Sequence, residues 1–146
     1  MFSQEDEYYM GLALMQAQKA LEEEEIPVGA VVVCQGRIVA KAYNQTEVLT
    51  DVTAHAEMIA ITSAAQTIGA KYLKDCTMYV TLEPCLMCAG ALYWSQLGRL
   101  VYGAKEEKRG FERVGQSVLH PKTDILGGVR AEESESLLKE FFSMRR

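Results

Sequence analysis

Residues 76–103 read CTMYVTLEPCLMCAGALYWSQLGRLVYG, and this stretch decides the fold. Cys76–Leu82 is a run of β-branched, aromatic and apolar residues bounded by polar ones, which is the composition of a strand. Pro84 suits the opening of a helix, where its missing N–H has no intrahelical partner to lose. The spacing then predicts a helix from Cys85 to Ser95 and a second strand over Arg99–Gly103. Strand, helix and strand within 28 residues make a crossover unit, so the two strands should be parallel and the connection right-handed.

Working outward, Val28–Gln35 and Arg37–Tyr43 flank Gly36 and read as an antiparallel hairpin. Thr53 is the expected cap of a helix over Ala54–Thr67, with Gly69 just past its end. Ser3 with Asp6 opens an N-terminal helix, along which Met10, Leu14, Ala17 and Leu21 recur at helical spacing. That helix should end at the run Glu22–Glu25, read as a solvated terminus because acids there oppose the helix dipole. Glu132–Met144 closes the chain as a helix with Leu137, Leu138, Phe141 and Phe142 on its apolar side. Residues 104–131 read as irregular. The sum is an α/β layered domain with a mixed sheet and helices on both faces, organised as one unit over residues 1–146.

Composition sets outer bounds. Apolar residues are 49% and charged residues 24% of 146, which excludes a disordered chain, a collagen-like chain and a disulfide-stapled miniprotein. The longest near-continuous apolar stretch, Ile26 to Cys34, is far short of the roughly 18 residues a membrane span needs. The acidic start Met1–Glu7 is neither a secretory signal nor an Arg-rich transit peptide. The expected compartment is the cytoplasm, with reduced thiols and no membrane partner. Net charge is −5 but unevenly placed: residues 1–98 hold 5 Lys and Arg against 12 Asp and Glu, residues 99–146 hold 10 against 8. The C-terminal third is thus either a basic patch on an acidic protein or ordinary surface charge, which composition alone favours.

Two short segments carry the chemistry, His55-Ala56-Glu57 and Pro84-Cys85-Leu86-Met87-Cys88. Cys85 and Cys88, three apart on a helix, share one face and can reach one metal ion. A helix N-terminus favours the thiolate form that ligates. With His55 in the first turn of its own helix, two helix starts can assemble a His-Cys-Cys site for one zinc ion. Three protein ligands leave a tetrahedral zinc one position for water, whose pKa it lowers to roughly 7. Glu57, two residues from a ligand, is placed as general acid and base. H-x-E followed by P-C-x-x-C is the signature of the zinc deaminases, and the reaction assigned here is that group's own. A structural zinc or a redox pair also uses C-x-x-C, but the first wants a fourth ligand and the second leaves His55 and Glu57 without a role. Cys34 and Cys76 read as small core residues, as do Leu86, Met87, Ala91 and Leu92. Trp94 reads as packing, His120 as a loop histidine, and Glu83 either as a turn residue or as support behind the metal site.

Further segments narrow the resemblance: Val28-Gly29-Ala30-Val31, Tyr43-Asn44, Thr53–Glu57, Tyr79–Ala91, Gly98–Ala104 and the ending Phe141-Phe142-Ser143-Met144-Arg145-Arg146. From residue 8 onward the chain resembles the bacterial tRNA-specific adenosine deaminases. That resemblance implies a three-layer cytidine-deaminase-like fold with a mixed five-stranded sheet. It implies conversion of the wobble adenosine of a tRNA anticodon to inosine, with hydroxide attacking C6 and ammonia leaving, by a zinc-dependent homodimer. It also implies that Asn44 binds the base edge, Val28 walls the pocket and the Ala56 N–H meets the base. Glu106, Phe142, Arg145 and Arg146 would then touch the anticodon stem-loop. The chain departs from the family over residues 109–117, RGFERVGQS, and at Trp94; Arg109 and Arg113 are either phosphate partners or solvated charges.

Two other functions compete. A deaminase of a free base or nucleotide, guanine or a cytosine nucleotide, uses the same zinc chemistry; the positive balance of the C-terminal third and Asn44 favour RNA. A catalytically silent zinc-binding partner protein has no need of Glu57. A homodimer should use the helix Cys85–Ser95, because Leu92, Tyr93 and Trp94 give it more apolar surface than one sheet covers.

Overall fold

The structure is a computed structural model that describes residues 1–145. Its helices are α1 (Gln4–Glu22), α2 (Ala56–Ile68), α3 (Leu86–Ser95) and α4 (Ala131–Ser143); its strands are β1 (Gly29–Cys34), β2 (Arg37–Tyr43), β3 (Cys76–Leu82), β4 (Arg99–Ala104) and β5 (Asp124–Leu126). The five strands form one mixed sheet in the order β2-β1-β3-β4-β5. The hairpin β1–β2 and the pair β1–β3 are antiparallel, whereas β3–β4 and β4–β5 are parallel. The strands joined by the crossover β3-α3-β4 are therefore parallel, as the sequence predicts.

Alternation along the central strands builds two cores. Ala30 and Val32 of β1, Met78 and Val80 of β3, and Leu100 and Tyr102 of β4 point to the face covered by α2 and α3. Val31, Val33, Tyr79 and Val101 point to the opposite face, where α1 supplies Met10, Ala13 and Leu14 and α4 packs beside it. This period of two on a sheet buried on both sides is what makes β1 and β3 near-continuous apolar runs. Gly29 lets α1 approach: a Cβ there would strike the Ala13 carbonyl and the Ala17 amide.

Several sequence expectations change. Helix α1 starts as predicted, with Ser3 Oγ accepting the Asp6 N–H at 3.0 Å, but Glu25 is not a solvated acid. It is buried, and its carboxylate accepts the backbone N–H groups of Glu47 (3.0 Å) and Val48 (2.8 Å). Thr53 does not cap α2; its hydroxyl and amide both donate to Asp51 Oδ1, and the N-cap is His55. Cys85 likewise is the N-cap of α3 rather than its first residue. Residues 104–131 are not wholly irregular, since they hold the three-residue β5 and two short 3-10 turns. Leu86 and Met87 are exposed, not core, and Trp94 is 77% exposed rather than packed.

Helix α1 is pinned to the sheet by a polar anchor. Asp6 is buried; Arg99 donates to both its oxygens at 2.7 and 2.8 Å, and the Tyr79 hydroxyl donates at 2.8 Å. The Arg99 guanidinium holds the Asp6 carboxyl below its ordinary 3.8, so the anchor's stabilisation is present above that value and is lost as pH falls through the folded pKa. Breaking a buried pair costs roughly 3–5 kcal/mol; with Arg99 one-third exposed, about 2 kcal/mol is expected for Arg99→Ala after solvent screening. Urea unfolding should show that deficit at neutral pH, and the gap to the unsubstituted chain should narrow at about pH 3.

Candidate active site

The site lies at the C-terminal edge of the sheet, where α2 and α3 begin. His55 and Cys85, the two N-cap residues, have extended backbones (φ −72°, ψ 153° and φ −75°, ψ 174°), and neither side chain makes a capping hydrogen bond. An N-cap side chain ordinarily accepts an N–H from the first turn. Here both turn toward each other instead: Cys85 Sγ lies 3.7 Å and Cys88 Sγ 3.5 Å from His55 Nδ1. Cys88, one turn into α3, is buried. The three ligating atoms all lie within 4.8 Å of one another. Zinc bonds of roughly 2.0–2.1 Å to nitrogen and 2.3 Å to sulfur imply tetrahedral edges of about 3.6–3.8 Å. The cluster already has nearly that spacing, and two sulfurs with one imidazole nitrogen are a donor set suited to zinc.

The cluster is electrostatically prepared to ligate. The hydrogen bond from the Cys88 thiol holds Cys85 down to about 4, against burial and with help from His55. The same contact, with burial, pushes Cys88 up. The contact with Cys85 raises His55. Metal binding displaces these shared protons and needs the deprotonated ligands.

A cavity of about 350 Å³ opens over the cluster. Its floor holds His55, Ala56, Glu57 and Cys85, and Val28, Asn44 and Leu82 line it as well. Glu57 is 4% exposed, and burial pushes its carboxyl up to about 7. Asn44 is buried; its backbone N–H is taken by the Val28 carbonyl at 3.0 Å, and among the described residues its side chain makes no hydrogen bond. Ala56 is the first residue of α2, so its N–H is one of the helix-start donors with no intrahelical acceptor. Ile26, Glu83, Lys105, Glu106, Arg109, Leu138 and Phe142 complete the lining.

The structure thus brings together Val28, Asn44, His55, Ala56, Glu57, Cys85, Cys88, Glu106 and Phe142. Arg145 is not among the lining residues; it donates to the Glu24 carbonyl at 2.6 Å and lies over the Phe141 ring at 4.5 Å. Arg146 lies outside the described residues. His120 is a loop residue whose Nδ1 accepts the Lys122 N–H. Ile26, Lys105 and Leu138 were not foreseen as lining residues. Leu138 carried a signal, since the helical pattern put it on the buried face of α4; Ile26 and Lys105 sit in connections with no pattern to read.

A helix-start His-Cys-Cys cluster under a cavity that holds a buried carboxylate, on this sheet, defines a zinc-dependent hydrolytic deaminase. Comparison with known proteins agrees. The family model for the cytidine and deoxycytidylate deaminase zinc-binding region matches residues 3–104. A tRNA-specific adenosine deaminase of Agrobacterium fabrum is 41% identical over 144 residues, covering 95% of this chain and 95% of that one. A structure solved in a study of A-to-I editing by tRNA:A34 deaminases matches with a TM-score of 0.83 at 40% identity, covering 90% of this chain and 99% of that chain. A guanine deaminase of Bacillus subtilis matches with a TM-score of 0.66 at 36% identity, covering 73% and 67%. The chain belongs to the family of the tRNA-specific adenosine deaminases.

Proposed function

We propose that this chain hydrolyses adenosine to inosine at the wobble position of a tRNA anticodon, working in the cytoplasm as a homodimer of single-domain chains. The observation that carries the reading is the cavity's two-part lining: a deaminase cluster at the floor, and Lys105, Arg109 and the half-exposed Phe142 toward the surface. A free base needs only the floor. A loop of RNA brings phosphates, which need cations, and neighbouring bases, which need an aromatic platform. A loop nucleotide is also partly unstacked, so turning its base into the cavity costs less than extracting one from a duplex. The family relationship supports the same substrate.

His55 Nδ1, Cys85 and Cys88 would hold a zinc ion, which when bound would supply a water acidified to near neutrality. The chain's own residues do the rest. Asn44 offers one donor group and one acceptor to a purine edge, and the free Ala56 N–H offers a second donor. Val28 and Leu82 exclude solvent from the base. Glu57, whose buried carboxyl is pushed up to about 7, carries one proton from the attacking water to the ring nitrogen and a second from the new C6 hydroxyl to the departing amine. The balance is adenosine and water to inosine and ammonia. Glu57→Gln should keep one zinc per chain while turnover falls by the roughly 10²–10⁴-fold typical of a general acid–base group; near-normal turnover would assign proton transfer elsewhere.

The 36% identical guanine deaminase favours a second reading, a free-base substrate. A side-by-side assay separates the two. A wobble-adenosine stem-loop should be deaminated, with activity falling as salt rises, and free guanine and cytidine should be left nearly untouched. Turnover of guanine or cytidine with an untouched stem-loop would replace the tRNA reading.

The dimer reading rests on α3. Leu92 turns into the core, while Leu86, Met87, Tyr93 and Trp94 stay exposed along the same helix. Trp94 stacks edge-on against Tyr93, which in turn sits 5.7 Å from His120. A contiguous apolar patch of this kind marks an association surface. Sedimentation at micromolar concentration should give twice the 16.3 kDa chain mass, and Trp94→Glu should shift the species to the monomer; a monomer without the substitution would contradict the reading.

A further inference from the structure

We infer that Glu83 is a positioning residue: its buried carboxylate clamps the rim segment 105–113 and thereby sets how tightly RNA around the target base is held. The inference rests on the anticodon-loop reading above. Glu83 follows β3 and lies two residues before the ligand Cys85. It is 2% exposed, and its two oxygens are used separately. Oε1 accepts the Glu106 N–H at 3.0 Å and Oε2 accepts the Glu112 N–H at 2.8 Å. Among the described residues no cation pairs with it, so these charge-assisted bonds are what hold it in place.

The rim segment folds around that carboxylate. Gly110 bridges Cys85 in antiparallel fashion and donates its N–H to the Glu106 carbonyl at 3.0 Å. A Cβ at Gly110 would collide with the Glu83 carboxylate and with that carbonyl; the close approach explains the glycine. The Phe111 N–H donates to the Pro84 carbonyl at 3.0 Å, and the Phe111 ring is fully buried. The far end of the segment is therefore anchored by Phe111, by Glu83 and by the Tyr102 hydroxyl, which donates to the Glu112 carboxylate. The near end, which carries Lys105, Glu106 and Arg109 into the cavity lining, is anchored to the ligand-bearing segment through Glu83. Loss of the carboxylate should loosen that end without unseating Phe111 or the ligand cluster.

Glu83→Gln tests this, because the amide keeps the volume but has one acceptor oxygen, and its NH2 faces a backbone donor. Zinc content and the maximal rate should stay close to those of the unsubstituted chain. KM for a wobble-adenosine stem-loop should rise about tenfold, the effect of leaving one buried N–H unmet. Gly110→Ala, which presses on the same carboxylate from the other side, should raise KM similarly, and Glu83→Asp should restore part of the loss. Independently of activity, hydrogen exchange should quicken at the Glu106 and Glu112 amides of Glu83→Gln and stay unchanged in the central strands. Unchanged exchange at those two amides, loss of zinc, or a fall in kcat with KM unaltered would each overturn the clamp. Failure of the unsubstituted chain on the stem-loop would sink the substrate reading instead, and the exchange measurement would still decide whether Glu83 holds the rim.

Discussion

Everything at the site depends on two helix N-caps that do not cap. A helix start leaves backbone N–H groups without partners, and an N-cap side chain that satisfies one is worth about 1 kcal/mol. At α2 and α3 that stabilisation is forgone. His55 and Cys85 hold the extended backbone of N-caps but direct their side chains at each other. The result is a ligand cluster at the meeting point of two positive helix ends, where thiolates are favoured, and at Ala56 an N–H in the cavity lining that has no intrahelical acceptor. The parallel crossover β3-α3-β4 supplies the geometry, because it delivers the start of α3 to the C-terminal edge of the sheet, where open α/β sheets place their ligands.

Four buried acids show how environment divides labour among identical groups. Asp6 meets Arg99 and Tyr79 and anchors α1. Glu25 meets the amides of Glu47 and Val48 and shapes the connection after Asn44. Glu83 meets the amides of Glu106 and Glu112 and shapes the opposite rim. Glu57 faces the cavity, and burial pushes it up to about 7 against the pull of its own backbone amide and of His55. Three of these carboxylates build the structure, and the fourth is left free to move a proton.

The local rules of the sequence reach the crossover, the hairpin, the Ser3 cap and the ligand set, because each is encoded within a few residues by spacing, proline or polar type. They do not reach features created by distant backbone. Glu25 looks like one more acid in a charged run, and only the amides of residues 47 and 48, far along the chain, make it a buried anchor. Glu83 leaves two roles open until the turn at Gly110 closes around it. Strand β5 is three residues long and flanked by Gly127 and Gly128, too short for a period of two to register; its pairing with β4 makes it a strand. Leu86, Met87 and Trp94 have core-like chemistry, yet α3 has only one face on the sheet and these residues lie off it.

The central claim is that His55 Nδ1, Cys85 and Cys88 hold one zinc ion with a fourth position open to water. X-ray absorption at the zinc edge of the purified protein addresses it directly. The account predicts a first shell of two sulfurs at about 2.3 Å and two nitrogen or oxygen atoms at about 2.0–2.1 Å, with one sulfur lost in Cys88→Ser. A shell of four sulfurs, or one without sulfur, would contradict it.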